Sequence, residues 1–350
     1  MRRLPIYFLI DVSESMVGEP IQQVEEGLAT IVEALKTDPH ALETVFVSVL
    51  VFAGQAKTLV PLQEIVSFYP PKFPIGSGTS LSKGLGHLMA ELKANIVKTT
   101  YEVKGDWKPI VFLFTDGVPT DDCKKSISEW KQNWQKAANL IAVSFGDDTD
   151  INVLKDLTDN VLSFKNTNAQ SYKEFFKWVT DSIKTSSISV EKNSSGFELA
   201  RITGETLSKI DLSKPTPVRQ MVDDNYVVLN GKCQNTKRPY LMKYRKSIDP
   251  ASIKGMELTT KSYRLVGAYQ VDQSYFELAD QSKFNNSVNT QELMGAPPCP
   301  CCGNPIAFAV CGCAKIHCIG EEKVSKCPWC GNEGTYASGD GGIDVNRTQG

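Results

Sequence analysis

Two periodicities take turns through the first 188 residues, and that alternation limits the fold more than any other feature. Tyr7 to Ile10, Val45 to Phe52, Ile110 to Phe114 and Leu140 to Phe145 are short, nearly continuous apolar runs, the pattern of parallel strands buried on both faces. Between them, Ile21, Val24, Leu28, Ile31 and Leu35 recur at helical spacing, as do Leu81, Leu85, Leu88, Leu92 and Ile96. Lys124 to Ala138 and Tyr172 to Ile183 are further helical stretches. Strand alternating with helix predicts a doubly wound, mostly parallel α/β sheet covered on both sides.

Beyond this the pattern changes. Ser194-Ser195-Gly196 loosens the chain, and Val227 to Leu229 followed by Asn230-Gly231 reads as a strand with a turn. Tyr263 to Val271 reads as another strand. The expected organisation is an α/β domain over 1–188, a small β-rich module over 189–295, a Cys/His-rich metal domain over 296–336 and a disordered Gly- and polar-rich tail over 337–350. A net charge of −2, from 38 basic and 40 acidic residues, argues against whole-protein attraction to nucleic acid or anionic membrane. No apolar run approaches the roughly 20 residues of a membrane span. The stretch from Ile6 to Ile10 runs straight into Asp11 without a signal-peptide cleavage site, so a cytoplasmic location is expected.

Strand one ends in Asp11-Val12-Ser13-Glu14-Ser15. Ligands of open α/β sheets bind outside the carboxyl ends of strands. Gly76-Ser77-Gly78-Thr79-Ser80 precedes the second strong helical stretch, and Thr115-Asp116-Gly117 ends a later strand. Asp11, Ser13, Ser15, Thr79 and Asp116 together offer two carboxylates and three hydroxyls, a hard all-oxygen set that suits magnesium, with manganese or calcium as alternatives. Taken alone, the pentapeptide reads first as a helix cap; the three segments together point to a metal. An aspartate-based phosphatase would want a second acid where Ser13 stands, and no nucleophile elbow or His base is evident. A non-catalytic chain is expected.

These three segments resemble the metal-ion-dependent adhesion site of von Willebrand factor A domains, and the resemblance covers about the first 188 residues. It implies that Ser13, Ser15 and Thr79 bind the metal, with Asp11 and Asp116 acting directly or through water. It also implies that a partner's carboxylate completes the shell, which makes the site a recognition device.

Eight of the ten cysteines lie between Cys299 and Cys330. In a reducing compartment such a cluster points to metal before disulfides. Cys299-Pro300-Cys301-Cys302-Gly303 and Cys327-Pro328-Trp329-Cys330-Gly331 are two knuckles whose trailing glycines permit φ > 0. Cys299, Cys302, Cys327 and Cys330 alone would make a zinc ribbon. The stretch between the knuckles carries Cys311, Cys313, His317 and Cys318, enough for a second zinc and for a cross-braced, RING-like arrangement. One or two zinc ions are expected, with the sharing of ligands left open. Cys301 reads as a spare thiol, and Cys123 and Cys233 as unliganded.

The pairing of the two ends resembles the TerY proteins of bacterial tellurite-resistance and stress clusters, with Ala307 to Cys311, Lys315 to Cys318 and Cys327 to Cys330 similar to that family's metal-binding domain. This implies a scaffold or phosphorylation target working with a Ser/Thr kinase and a PP2C-type phosphatase. Two alternatives stand beside it. Nucleic-acid binding would use the zinc domain and the basic stretch of Lys232 to Lys246, with Lys237, Arg238, Lys243 and Arg245 as contacts and Tyr240 and Tyr244 stacking on bases. A RING-like ubiquitin-ligase-type adaptor is the other.

Overall fold

The computed structural model describes residues 2–116, 118–145, 151–164, 169–192, 199–202, 207–210, 225–253, 256–279, 286–322, 324–336 and 341–348. The chain divides into two compact units. The first comprises Met1–Val12, Glu19–Phe73 and Thr79–Met221, the second Ser13–Gly18, Pro74–Gly78 and Val222–Gly350. Among the described residues no helix is long and apolar enough to cross a membrane.

In the first unit, β1 (Leu4–Asp11), α1 (Glu19–Lys36), α2 (Pro39–Thr44), β2 (Val45–Phe52) and β3 (Ala56–Glu64) lead to α3 (Leu81–Asn95) and β4 (Ile110–Thr115). Then come α4 (Lys124–Asn133), β5 (Asn139–Phe145), α5 (Ile151–Leu157), β6 (Val161–Phe164), α6 (Ala169–Lys192) and β7 (Leu207–Lys209). The sheet order is β3-β2-β1-β4-β5-β6-β7. The inner five strands are parallel, with antiparallel β3 and β7 at the edges. All eight residues of β1 and all six of β4 are buried, as expected of strands covered on both faces. One face packs Phe8, Phe112, Phe114, Phe145, Phe164, Phe175 and Phe176, with neighbouring centroids such as Phe114 and Phe175 at 5.6 Å. Tyr7, Leu9, Val111 and Leu113 alternate onto the other, against Leu85 and Leu88 of α3 and Trp130 of α4. The sheet reaches past residue 188 through β7, and α4 stops at Asn133, short of the expected Ala138.

The second unit carries β8 (Tyr226–Lys232), β9 (Pro239–Ile253), β10 (Met256–Gln270), α7 (Ser274–Leu278), β11 (Ser287–Asn289), β12 (Leu293–Met294), β13 (Ile306–Val310), β14 (Ile316–Ile319), β15 (Val324–Lys326), β16 (Glu333–Thr335) and β17 (Asp344–Asn346). Its main sheet runs β12-β10-β9-β8-β14-β13. Strands from the expected β-rich module and strands from the cysteine-rich segment thus share one sheet, joined where β14 pairs parallel to β8. The expected boundary at 295/296 falls inside this unit. The physical reason is core size: Val227, Leu229, Tyr240, Met242 and Tyr244 need Ile316, Ala307 and the cysteines to close a cluster. The tail is also ordered over 341–348. Val345 of β17 is buried beside β11, and Thr348 N–H donates to the Val228 carbonyl at 2.9 Å.

Asn230-Gly231 is not the expected turn. Both residues lie within β8, and the chain reverses at 233–238. Gly231 faces Tyr240 across the pair, and a Cβ there would sit 2.3 Å from the tyrosine ring. Close packing explains this glycine.

Candidate metal centres

The first constellation follows from the sheet order. The chain leaves β1 toward β2 on one side and returns to β4 on the other, so the ends of β1 and β4 form a topological switch point. Asp11 is the last residue of β1, and Asp116 follows the last residue of β4. The Thr115 hydroxyl of β4 donates to Asp11 Oδ2 at 2.6 Å. Asp11 is fully buried and Asp116 half-buried. Ser13 and Ser15 follow Asp11 along the chain, and their hydroxyls are hydrogen-bonded to each other at 2.9 Å. Around an octahedral ion with bonds of about 2.1 Å, adjacent ligands lie about 3.0 Å apart. Ser13 precedes the short turn of helix at Glu14–Met16 but makes no side-chain capping bond to it, so capping does not explain the serine.

Thr79 lies in the loop ahead of α3. Its N–H donates to Thr120 Oγ1 at 3.0 Å, and its carbonyl accepts from Thr120 N–H at 2.9 Å. Its hydroxyl is buried, and no described residue hydrogen-bonds to it. A buried hydroxyl left unsatisfied costs about 1–3 kcal/mol; an oxygen-seeking cation would satisfy it.

The second unit holds the sulfur chemistry. Cys233, Cys299, Cys302 and Cys318 form one group, and Cys311, Cys313, Cys327 and Cys330 a second; within each group all Sγ atoms lie within 4.8 Å of one another. The Cys302–Cys318 and Cys311–Cys330 sulfurs are 3.8 and 3.7 Å apart, and the Cys313–Cys327 and Cys233–Cys318 pairs 3.9 Å. A disulfide would need about 2.05 Å, whereas the edge of a tetrahedron with Zn–S bonds of about 2.3 Å is about 3.8 Å. The spacing fits metal.

Both knuckles have the predicted backbone. Gly303 and Gly331 have φ of +77° and +79°, and their N–H groups donate to the carbonyls of Cys299 and Cys327 at 2.9 Å. The hairpin between β8 and β9 repeats this bonding with a single cysteine: Lys237 N–H donates to the Cys233 carbonyl at 3.0 Å, with φ +60° at Lys237. Where a second cysteine would fall stands Thr236, whose N–H points to Cys233 Sγ at 3.3 Å, and Cys318 of β14 completes the set. Cys233 is therefore a ligand position, not the unliganded residue expected. Its sequence signal was faint, because the positive-φ residue is a lysine where the knuckles have glycine.

The four knuckle cysteines do not share a metal as a ribbon would require. Instead the two groups alternate along the chain, Cys299 and Cys302, then Cys311 and Cys313, then Cys318, then Cys327 and Cys330, an interleaved cross-brace with Cys233 standing in for a missing partner of Cys318. Burial pushes the Cys233 thiol up, but hydrogen bonds from the Thr236 hydroxyl and N–H, from Cys302 and from the Asn235 N–H together outweigh it and leave it at about 7. Burial and the neighbouring Cys299 raise Cys318. Four thiolates this close repel one another, so full deprotonation needs a cation.

His317 belongs to neither group. A carbonyl can only accept, so Nδ1 donates to the Cys318 carbonyl at 3.0 Å, leaving Nε2 to accept from the Tyr336 hydroxyl at 2.6 Å. The imidazole is buried, which lowers its pKa and keeps it neutral. Cys301 lies outside both groups, and Cys123 is buried at the start of α4. The basic stretch does not gather on one face. Lys237 and Arg238 are exposed on the hairpin and Arg245 is exposed on β9, but Lys243 is buried, its Nζ 4.6 Å over the Tyr226 ring. Tyr240 and Tyr244 are fully buried in the core and have no face to offer a base.

Two family models match the chain. Residues 6–178 match the von Willebrand factor type A domain, in keeping with the mostly parallel sheet and its flanking helices. Residues 223–350 match the TerY-C metal binding domain, so the chain has the TerY-type architecture, and all eight clustered cysteines lie in its second domain. No curated protein matches the chain. Among solved structures, it is similar to a von Willebrand factor type A protein from Catenulispora acidiphila, at 11% identity over 82% of this chain and 61% of that one, TM-score 0.41. It is similar also to proximal thread matrix protein 1 from the mussel byssus, at 18% identity over 51% of this chain and 48% of that one, TM-score 0.38. The same byssus protein with a zinc occupied MIDAS motif matches at 16% identity over 51% and 46%, TM-score 0.36. The chain spans about half the length of the byssus protein.

Proposed function

We propose that this chain is a non-catalytic, metal-dependent protein-interaction scaffold. Asp11, Ser13, Ser15, Thr79 and Asp116 would hold a magnesium ion, and each four-cysteine group a zinc. The observation that carries the reading is the buried Thr79 hydroxyl with no described hydrogen-bond partner, in a loop ahead of α3. Bound magnesium supplies an electrophilic position that a partner's Asp or Glu side chain can occupy. The protein's part is to hold the oxygens, with Thr115 orienting the Asp11 carboxylate. The zinc groups hold the second unit together and present its surface for docking. Through its family the scaffold would serve a stress-type phospho-signalling system in the cytoplasm, joining a Ser/Thr kinase to a PP2C-type phosphatase.

The test is a titration of the purified, zinc-loaded full chain with Mg²⁺ or Mn²⁺, followed by kinase and phosphatase capture with Mg²⁺ or with a chelator too weak to strip zinc. Wild type should bind one ion and retain its partners; Asp11→Ala should lose both. Ion binding that survives Asp11→Ala, or partners that survive the chelator, would sink the proposal.

A further inference from the structure

Thr79 is a loop residue, so the position of its hydroxyl depends on whatever holds the loop. Two residues outside the five ligand positions do so. Thr120 grips the Thr79 backbone from both sides, Oγ1 accepting from Thr79 N–H at 3.0 Å and N–H donating to the Thr79 carbonyl at 2.9 Å. Next to it, Asp121 Oδ2 accepts from the Ser80 hydroxyl at 2.6 Å, from Ser82 N–H at 3.2 Å and from the Ser82 hydroxyl. Both belong to the loop that follows β4 and begins with Asp116. The contacts therefore fasten one proposed ligand loop to another. Thr79 is β-branched and restricted at χ1, so fixing its backbone leaves its hydroxyl only a few staggered positions.

A plainer role exists. Ser80, the residue ahead of α3, makes no side-chain capping bond, and the Ser82 amide is one of the donors that a helix start leaves unpaired. Asp121 satisfies it, which would stabilise α3 whatever binds nearby. That role leaves Thr120 unexplained, since its bonds go to Thr79 and not to the helix.

We propose that Thr120 and Asp121 are positioning residues that set the Thr79 hydroxyl for the ion, a role resting on the ion-binding reading above. Residues that orient metal ligands typically change affinity about 10- to 100-fold when removed.

The experiment is Mn²⁺ titration followed by electron paramagnetic resonance, on the full chain with zinc content confirmed by metal analysis. Thr120→Val and Asp121→Ala should each weaken Mn²⁺ binding by about 10- to 100-fold and alter the bound-ion spectrum, while Thr120→Ser restores affinity to within about threefold. Thr120→Val is nearly isosteric, so the test does not depend on Asp121→Ala folding. In a Thr79→Ala background, Thr120→Val should have no further effect, because its action passes through the removed hydroxyl. Unchanged affinity in both variants, or an effect that persists undiminished with Thr79→Ala, overturns the positioning role while leaving the ion site intact. A wild type that binds no Mn²⁺ overturns both.

Discussion

The two sheets of this protein solve the same problem with different materials. In the first unit, β1 and β4 are buried along their whole length, and a cluster of phenylalanines fills one face. In the second, β14 is fully buried but β13 and β15 are only half-buried, and the core cluster counts Cys233, Cys299 and Cys318 among its members. Apolar area alone closes the first. The second has a smaller core and builds thiol groups into it, so metal bound there would be coupled to folding. Ligands and hydrophobic contacts are not separate layers there: Cys318 lies on β14 while Ile316, on the same strand, packs in the core.

The contrast predicts that stripping zinc acts on one unit. A strong chelator, or Cys299→Ser, should unfold the second unit, since structural zinc contributes on the order of 10 kcal/mol. Calorimetry with zinc analysis should show its transition lost and that of the first unit kept; a joint collapse of both transitions would break the comparison. Cys233→Ser, in the same four-cysteine group as Cys299, should lose bound zinc and the second transition as Cys299→Ser does, whereas Cys301→Ser and His317→Gln should each retain two ions.

Next in size is the converse test. Phe114→Ala, at a buried ring 5.6 Å from both Phe145 and Phe175, should cost about 3–5 kcal/mol and move the first transition while leaving zinc content at two. Denaturant melts monitored in the two units by separate probes would check it.

Smaller effects sharpen the account of the second sheet. Gly231→Ala would drive a methyl into the Tyr240 ring and should cost about 1–3 kcal/mol by overpacking. If Asn230-Gly231 were a turn with open space, thermal melts would show almost no change. Tyr336→Phe removes the hydroxyl that donates to His317 Nε2 and should cost about 1 kcal/mol with both zincs still bound. Loss of a zinc in that variant would bring His317 back as a ligand.

Legibility in the sequence tracked burial. β1, β2, β4 and β5 were readable because strands covered on both faces carry few polar positions to blur them, whereas β6, equally buried but only four residues long, did not stand out. β3 was not, since Lys57, Gln63 and Glu64 mix with Val60 and Leu62 on a half-exposed edge strand that also carries Pro61. β17 rests on one buried residue, Val345, in a Gly-rich tail, too little for any periodicity. In the same way, the knuckles announced themselves through paired cysteines and glycines, while Cys233 stood alone in a hairpin that uses Lys237 for the same backbone bend. Tyr240, Tyr244 and Lys243 looked like a nucleic-acid surface because aromatic and basic residues alternate there. On a strand that alternation does not say which face is buried until a partner sheet is present.

By itself, then, the sequence determined the doubly wound sheet, the strand-end positions of Asp11 and Asp116, and the gathering of eight cysteines between Cys299 and Cys330, because each is written in local spacing. Tertiary structure alone decided which four sulfurs stand within reach of one ion, that Cys233 is among them, and that both nitrogens of His317 are already taken. It also decided that Thr120 and Asp121 hold the Thr79 loop. The reason is physical. Ligand sharing and hydrogen bonding depend on separations of 3 to 4 Å through space, and between distant segments the fold sets those separations, not their spacing along the chain.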